Sequence, residues 1–423
     1  MSGSPSGGRH LALATWSLFV GLALLMMACG LFSTLLGVRS EQRGLPTVVS
    51  SIISASYYVG FLVGSVLTLR ALGRVGHIRV YTALASLLGA AIIAIGITDD
   101  AWSWTVLRLV TGLCFAGLYV VAESWLNDLA TNDNRGRLLA VYGGLTVACF
   151  GIGQVLVSRF EPMAVTGFAV AAILTSLAVI PVALSEAAVA PGVESAERIS
   201  LRELARVVPT GVFSCLLVGV AHGALAGMAA IYATRVGLSP GLVGLFVALP
   251  SLGGMVLQWP ISAASDDIDR RAVGAVAAMG SAGTAALLLL DAPTKPMAYV
   301  LIALLGGLSY PLYSIVSAYT NDWIEPEHLS AAASQLMKLY GIGAIAGPMI
   351  VGGAMGIIGP TGFYWVLIVM HVLIAVFFCY RMVAWRSPLA KRPWNEVSLP
   401  ARAFYVPATI IAIGRRTVRR RAG

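Results

Sequence analysis

Two residues of opposite charge lie inside one otherwise apolar stretch, residues 104–127: Arg108 near its start and Glu123 near its end. A charged side chain at the centre of a bilayer costs about 2.5–3.5 kcal/mol on insertion scales, so charges within a membrane usually face a polar cavity or a partner. About 22 Å of helix and a rotation of roughly 60° separate the two residues. Their side chains can therefore point to the same interior face of the helix bundle at two depths, as in a pathway for a solute or a proton.

Glu123 is the one carboxylate that we place within a predicted membrane span, which makes it the first candidate for a proton-coupling site. The alternative is a latch in which Glu123 pairs with an arginine at the nearby membrane boundary. His222, midway through the seventh predicted helix, is a second candidate because histidine exchanges protons near neutral pH. A hydrogen-bonded packing role is the alternative for His222.

The elements that must position these residues are membrane helices. The chain has 423 residues, of which 58% are hydrophobic and 11% charged, with a mean hydropathy of +0.85. Apolar runs of about 20 residues favour helices over a β-barrel. The sequence therefore predicts an all-α integral membrane protein with twelve transmembrane helices, at 11–37, 47–69, 80–98, 104–127, 138–157, 165–185, 207–233, 242–262, 272–290, 297–320, 331–358 and 363–385.

The polar segments divide the chain into an N-terminal six-helix half at 1–185, a linker at 186–206, a C-terminal half at 207–385 and a basic tail at 386–423. Within the linker, Ser200 to Glu203 reads SLRE, a capping box that predicts a short helix. Basic residues concentrate in the segments on the N-terminal side of the membrane, so we expect both termini in the cytosol. The tail ends RRTVRRR, which can bind anionic lipid head groups, or alternatively a protein partner.

An internal repeat relates the two halves. A shift of 194 residues places Gly112 on Gly306 and Tyr119 on Tyr313, and a further slip of two residues places Gly151 on Gly347. Halves duplicated in parallel, with a binding site at their interface, are typical of one large class of secondary transporters.

Several motifs resemble the major facilitator superfamily. Arg108-Leu-Val-Thr-Gly112 resembles its fourth-helix R-x-x-x-G motif, and residues 265–271, SDDIDRR, resemble its basic loop between the second and third helices. The string LYVVAESWLN at 118–127 is similar to a bacterial branch of exporters related to drug/proton antiporters. The resemblance implies two pseudo-symmetric six-helix halves in the bacterial cytoplasmic membrane, alternating access and a monomer. It also implies a coupling role for Arg108.

The resemblance further implies a cavity lined by the first, fourth, seventh and tenth helices. An aromatic pocket with few charges suits an amphipathic solute, and a buried lysine could attract an anion. The candidate substrate-binding residues are Lys338, Tyr119, Tyr313, Tyr310, Trp16 and Tyr57. Packing is the alternative for the aromatic residues, and reaching toward the membrane surface or neutralising Glu123 is the alternative for Lys338.

Charged residues at the cytosolic helix ends form a candidate gate. Asp128 and Asp322 are equivalent in the repeat and end their helices beside basic loops, so ion pairs there could form in one access state and break in the other. The candidate gate residues are Arg70, Arg74, Asp128, Asp266, Arg270, Arg271 and Asp322.

The sequence contains no phosphate-binding loop, metal-ligand spacing or nucleophile triad, which argues against an enzyme and predicts neither cofactor nor metal. Its basic residues follow the sides of a membrane rather than a nucleic-acid surface. We therefore expect a secondary transporter that moves a small amphipathic or anionic solute, with proton-coupled export as the first hypothesis. The alternatives are an uptake carrier or lipid flippase for an anionic substrate, and a transporter-derived membrane scaffold or sensor.

Overall fold

The computed structural model describes residues 6–129, 135–184, 199–290, 296–325 and 328–384. Within these ranges it describes the backbone alone at 6–15, 127–129, 135–137, 139–140 and 330. Within these residues, twelve spans are long and apolar enough to cross a membrane, as predicted. The basic tail and most of the linker lie outside the described residues.

Six long helices form the first half. They are α1 (Ser6–Gln42), α2 (Thr47–Val75), α3 (His77–Ile97), α4 (Ala101–Leu129), α5 (Arg135–Val155) and α6 (Thr166–Ala183), with a short 3₁₀ turn at Leu156–Arg159 after α5. In this half α1 packs against α5 and α6, α2 against α4, and α3 against α4 and α6.

The second half repeats this packing. After the linker helix α7 (Leu201–Val207) come α8 (Pro209–Arg235), α9 (Pro240–Asp267), α10 (Arg270–Leu290), α11 (Pro296–Ser309), α12 (Pro311–Asn321), α13 (Leu329–Ile358) and α14 (Gly362–Ala384). Here α8 packs against α13, α9 against α11, and α10 against α14. The predicted capping box is present, since the Ser200 hydroxyl accepts a hydrogen bond from the Glu203 backbone N–H at 3.2 Å.

Close glycine contacts show the repeat at the level of single residues. Gly30 on α1 lies directly against the Phe150 carbonyl on α5, and in the second half Gly223 lies directly against the Ala344 carbonyl. Phe150 and Ala344 are 194 residues apart, and Gly30 and Gly223 are 193 apart, so the first helices correspond with one residue less than the fifth. Small residues permit such backbone contact between membrane helices.

One predicted equivalence is wrong. Gly347 packs against the Val220 carbonyl, and in the first half it is Gly153 that packs in this way, against the Met27 carbonyl. Gly153 and Gly347 are 194 residues apart, so the repeat needs no two-residue slip here. Gly151 instead faces the second half of the protein, near Ala248.

Four spans differ clearly from the predicted ones. The first, second and eighth helices continue beyond residues 37, 69 and 262 to Gln42, Val75 and Asp267, so Glu41 lies in a helix rather than in a loop. The tenth span divides at Tyr310 into α11 and α12, because Pro311 has no backbone N–H to donate.

The two halves meet mainly through α2 with α13, α5 with α9, and α1 with α8. We call the end of the bundle where α1 and α8 finish the Glu41 end, and the opposite end, where α10 begins, the Arg270 end. The sequence predicts that the Glu41 end faces the cell exterior.

Candidate functional site

A cavity of about 110 Å³ lies between the two halves. Residues of α1, α2, α4 and α5 line it on one side, and residues of α8 and α9 together with Tyr310 line it on the other. Tyr310 lies at the junction of α11 and α12, so the helix break caused by Pro311 is located at the cavity wall. Both halves therefore contribute to a single site.

Arg108 is the only charged residue among the described residues that line this cavity. Its guanidinium carbon lies 4.5 Å from the centroid of the Tyr57 ring and 5.0 Å from that of the Phe32 ring. Both terminal nitrogens lie 3.5 Å from the Ser33 hydroxyl oxygen. The electron-rich ring faces stabilise the cation within the membrane, and the cavity therefore carries a fixed positive charge.

Aromatic rings continue from Arg108 along the cavity. Tyr57 packs edge-to-face on Tyr58 at 5.3 Å, and Phe115 packs edge-to-face on Tyr119 at 5.0 Å, measured between ring centroids. The Tyr119 hydroxyl donates to the Met26 sulfur at 3.1 Å. Three of the predicted substrate-binding tyrosines, Tyr57, Tyr119 and Tyr310, thus line the cavity.

Two buried polar groups in the cavity wall have no hydrogen-bond partner among the described residues. They are the side-chain carbonyl oxygen of Gln154 and the hydroxyl of Ser50, on residues that are 4% and 1% exposed. A buried polar atom without a partner costs about 1–3 kcal/mol. Such groups in a cavity are suited to a ligand that supplies the missing hydrogen bonds.

Glu123 lies behind the cavity wall rather than in it. Its side chain is 5% exposed, and its Oε1 accepts a hydrogen bond from the Tyr142 hydroxyl at 3.2 Å. Tyr142 itself lines the cavity. This tyrosine therefore connects the buried carboxylate with the space in which a solute would sit.

At the Glu41 end an ion pair joins the two halves. The Nε of Arg235, in the last turn of α8, donates to Oε1 of Glu41 at 2.6 Å, and Arg235 also donates to the Thr47 hydroxyl at the start of α2. Nearby, Gly37 of α1 packs directly against Ala230 of α8. These contacts join the two halves at the Glu41 end of the cavity.

His222 lies in the core of the second half, where its ring meets that of Tyr310 edge-to-face at 4.9 Å. Its Nε2 donates to the Ser309 carbonyl at 3.0 Å, since a carbonyl only accepts, and its Nδ1 lies 3.0 Å from the Tyr340 hydroxyl. His222 is one residue removed from the cavity, behind Tyr310. Tyr313 is also buried in the core of this half, with its ring against Tyr340 at 4.9 Å, and does not line the cavity.

Two predicted binding residues face away from the cavity. Trp16 is 51% exposed. Lys338 is exposed on the same face of α13 as Ile342 and Met349, which lie four and eleven residues further along the helix. An apolar face of this kind is a lipid-facing one, so the position of Lys338 favours the alternative that its ammonium group reaches toward the membrane surface.

The predicted gate residues of the second half form ion pairs at the Arg270 end. Arg270 donates to Asp322 at 2.8 Å and to Asp266 at 3.1 Å, and it is 1% exposed. Arg271 instead pairs with Asp269 at 2.7 Å and donates to the Arg381 carbonyl at 2.7 Å. These contacts join helices α9, α10, α12 and α14 of one half.

The predicted gate residues of the first half are Arg70, Arg74 and Asp128. Arg70 and Arg74 are exposed at the end of α2. The side chain of Asp128 lies outside the described residues.

Sequence reasoning missed four polar residues: Gln154, Tyr142, Glu41 and Arg235. A signal for the last two was present, because Glu41 and Arg235 carry opposite charges close to the predicted ends of the first helices of the two halves. Gln154 carries an amide within an otherwise apolar helix, which is the signal that could have identified it.

Comparisons with known proteins agree with this architecture. The family model described as Major Facilitator Superfamily matches residues 18–239 and 211–421. The protein named "Uncharacterized MFS-type transporter YcaD" of Escherichia fergusonii is 30% identical over 335 residues, which cover 78% of this chain and 86% of that protein.

Two solved structures are similar in fold. The crystal structure of the nucleoside transporter NupG has a TM-score of 0.72 at 12% identity, covering 88% of this chain and 100% of that one. A bacterial homolog of the human lysosomal transporter Spinster, in an inward-facing and occupied conformation, has a TM-score of 0.66 at 14% identity, covering 90% and 96%.

Proposed function

Because this chain belongs to the major facilitator superfamily, we propose that it is a proton-coupled secondary transporter that exports a small amphipathic or anionic solute. The family and the names of its relatives identify it as a multi-pass membrane transporter. The solute, the proton coupling and the direction belong to the proposal.

The observation that carries the proposal is the cavity between the halves. Among the described residues that line this cavity, Arg108 alone is charged. A site built by both halves becomes accessible from either side when the halves rock about it. Closure of the Glu41 end by Glu41 and Arg235 corresponds to one access state, and opening that end requires this ion pair to break.

Proton coupling is proposed at Glu123. This carboxylate is buried, and it communicates with the cavity through the Tyr142 hydroxyl. Protonation of Glu123 would remove the negative charge that accepts this hydrogen bond, and Tyr142 could then turn toward the solute. A ligand shifts a conformational equilibrium only through such a difference in contacts between states.

The direction rests on the sequence. The distribution of basic residues supports an exterior Glu41 end, and the string at residues 118–127 resembles an exporter branch. An uptake carrier for an anionic solute is a second candidate. The positive charge of Arg108 in the cavity favours binding of an anion equally for uptake and for export. The sign of proton-driven solute movement separates the two.

The experiment is flux in liposomes that contain the purified protein, with an imposed pH gradient and a chemically mixed panel of solutes. We expect a solute that moves in exchange for protons, and we expect the Arg108→Gln variant to lose this movement. Arg79→Gln is the matched control, because Arg79 is an exposed arginine at the Arg270 end. Absence of proton-linked movement for every solute would contradict the proposal.

A further inference from the structure

We propose that the ligand of the cavity is a small aromatic monocarboxylate, and that Gln154 selects ligands whose ring carries a hydrogen-bond donor. The inference rests on the proposed transport role of the cavity and specifies the solute. It follows from the charge, the size and the unpartnered polar groups of the site.

The charge of the cavity selects a single anionic group. Arg108 is the one charged residue among the described lining residues, and its guanidinium can donate two parallel hydrogen bonds to a carboxylate. A second negative charge on the ligand would be buried without a partner, which is strongly unfavourable. A cationic ligand would meet Arg108 with no described carboxylate in the lining to offset the repulsion.

The size and walls of the cavity select one aromatic ring. Its volume of about 110 Å³ is of the same order as the ~150 Å³ of an engineered apolar cavity that binds benzene. The rings of Tyr57, Phe115 and Tyr119 surround this space and provide edges and faces for aromatic packing. The space is therefore suited to a ligand with one ring rather than to one with several fused rings.

Hydroxyl groups of α2 line the cavity on the Glu41 side of Arg108. Ser50, Ser54 and Tyr57 lie at intervals of four and three residues, so they share one face of α2. The guanidinium of Arg108 lies on the Tyr57 ring, and Ser50 lies about two turns closer to the Glu41 end. The cavity is therefore polar on that side of Arg108, and the ring of the ligand extends to the other side, toward Phe115 and Tyr119.

Gln154 lies at a neighbouring depth on another wall. On α1, Gly30 packs against the backbone of Phe150 and Gln154, while Ser33 contacts Arg108. Gly30 and Ser33 differ in depth by about 4.5 Å. Gln154 and Arg108 therefore lie at similar depths on different walls of one cavity, and a ligand in this cavity is exposed to both.

The unpartnered oxygen of Gln154 defines the preferred substituent. A side-chain amide oxygen accepts hydrogen bonds and donates none, so its partner on the ligand is a hydroxyl or amino group. A site with a buried unpaired group discriminates against a ligand that lacks the complementary one. Hydroxybenzoates should therefore bind more tightly than benzoate.

The test is equilibrium binding to the purified full-length protein, measured by calorimetry. The probes are benzoate, its three monohydroxy isomers, benzyl alcohol and benzylamine. We expect benzoate to bind, at least one hydroxy isomer to bind about fivefold more tightly through one added neutral hydrogen bond, and benzylamine and benzyl alcohol not to bind.

Variants assign the two subsites. Arg108→Gln should weaken benzoate binding at least about tenfold, because hydrogen bonds to charged groups are the stronger class. Gln154→Leu should abolish the preference for the hydroxy isomer, which depends on a single neutral hydrogen bond. It should leave benzoate affinity within about twofold, because benzoate has no donor for Gln154. Gln258→Leu is the matched control, because Gln258 is equally buried but does not line the cavity. Thermal unfolding of each variant shows that it is folded.

Three results would overturn the inference: binding of benzylamine or benzyl alcohol as tight as that of benzoate, full benzoate affinity in folded Arg108→Gln, or no binding of any carboxylate to the wild-type protein. Proton-linked movement of a solute of another class would, in the last case, leave the proposed transport function standing.

Discussion

Glu41 and Arg235 carry opposite charges and form an ion pair between the two halves, with an N–O distance of 2.6 Å. They lie at the ends of α1 and α8, the first helices of the two halves, which meet at the Glu41 end of the cavity. Helices that are equivalent in the two halves and pack together lie beside the pseudo-twofold axis that relates the halves. The ion pair is therefore placed where a rocking motion about the cavity separates the halves at this end.

Breaking this pair should open the Glu41 end more often. Both side chains of the pair are mostly buried, so it should contribute at least the ~1 kcal/mol of the best exposed ion pairs, which corresponds to about a fivefold change in an equilibrium between two states. We expect Glu41→Gln to increase labelling of Cys29, which lines the cavity, by a membrane-impermeant maleimide added at this end. The other cysteines are replaced so that Cys29 alone reports.

The matched control for this prediction exchanges the charges. Because the exchange again places opposite charges beside each other, the double variant Glu41→Arg with Arg235→Glu should return labelling toward the wild-type rate. Labelling of the double variant as fast as that of Glu41→Gln would show that the ion pair does not hold the end closed.

Removing the Tyr142 hydroxyl should weaken the connection between the cavity and Glu123. Tyr142→Phe keeps the ring and deletes the hydrogen bond of 3.2 Å to Oε1. We expect solute binding to persist while its pH dependence becomes weaker, measured as affinity across a pH series. Tyr299→Phe is the control, since Tyr299 is a tyrosine of α11 that does not line the cavity. An unchanged pH dependence of binding in Tyr142→Phe would show that Tyr142 does not connect the cavity with Glu123.

The repeated glycine contacts should be equally sensitive to an added methyl group. A Cβ on Gly153 or Gly347 would collide with a backbone carbonyl of the neighbouring helix. We expect either alanine variant to lower the free energy of unfolding by about 1–3 kcal/mol, the usual cost of overpacking. Thermal unfolding of the purified protein in detergent measures this.

Gly283 provides the control for this pair. A Cβ there meets no atom within 4 Å, so Gly283→Ala should leave the protein as stable or stabilise it by up to ~1 kcal/mol through helix propensity. Equal unfolding temperatures for all three alanine variants would contradict the packing argument.

Much of the fold could be predicted because the length of each apolar run sets a membrane span. The bounds of α1 could not, since the helix continues to Gln42 with Arg39 and Glu41 held by distant partners. Arg39 donates to Asp99 at 2.9 Å and Glu41 accepts from Arg235. Such long-range pairs leave no trace in the local pattern.

Those residues of the site could be predicted whose polarity differs clearly from that of the surrounding helix. Arg108 is a charge in an apolar helix, and its place in the cavity follows from that cost. Gln154 and Ser50 are less distinct, because many hydroxyl and amide groups in membrane helices bond to their own backbone. The charge of Lys338 alone does not show whether it faces the cavity or the lipid. Its position on the same helix face as the apolar residues Ile342 and Met349 indicates that it faces the lipid.

Stability should fall in acid partly through Asp99, in the loop between α3 and α4. The hydrogen bond from Arg43 at 2.5 Å, with that from Arg39, lowers the pKa of Asp99 below its ordinary value. A carboxylate whose pKa is lower in the folded than in the unfolded chain stabilises the fold above the unfolded value, and this contribution is lost as pH falls through the folded pKa.

We therefore expect wild-type protein to lose more stability than Asp99→Asn between about pH 5 and pH 3, around the unfolded aspartate pKa of about 3.9. Unfolding temperatures in detergent across this range provide the measurement. Asp267→Asn, at an exposed aspartate of the Arg270 end, should retain the wild-type slope. Parallel curves for wild type and Asp99→Asn would show that this pair does not contribute.

The central claim is that movement of solute through the Arg108 cavity is coupled to protons at Glu123. The most direct measurement compares wild-type protein with Glu123→Gln in liposomes, recording solute-for-solute exchange and pH-driven accumulation in the same preparation. We expect the variant to retain exchange and to lose accumulation. Accumulation by Glu123→Gln equal to that of the wild type would contradict the claim and leave Glu123 a structural residue.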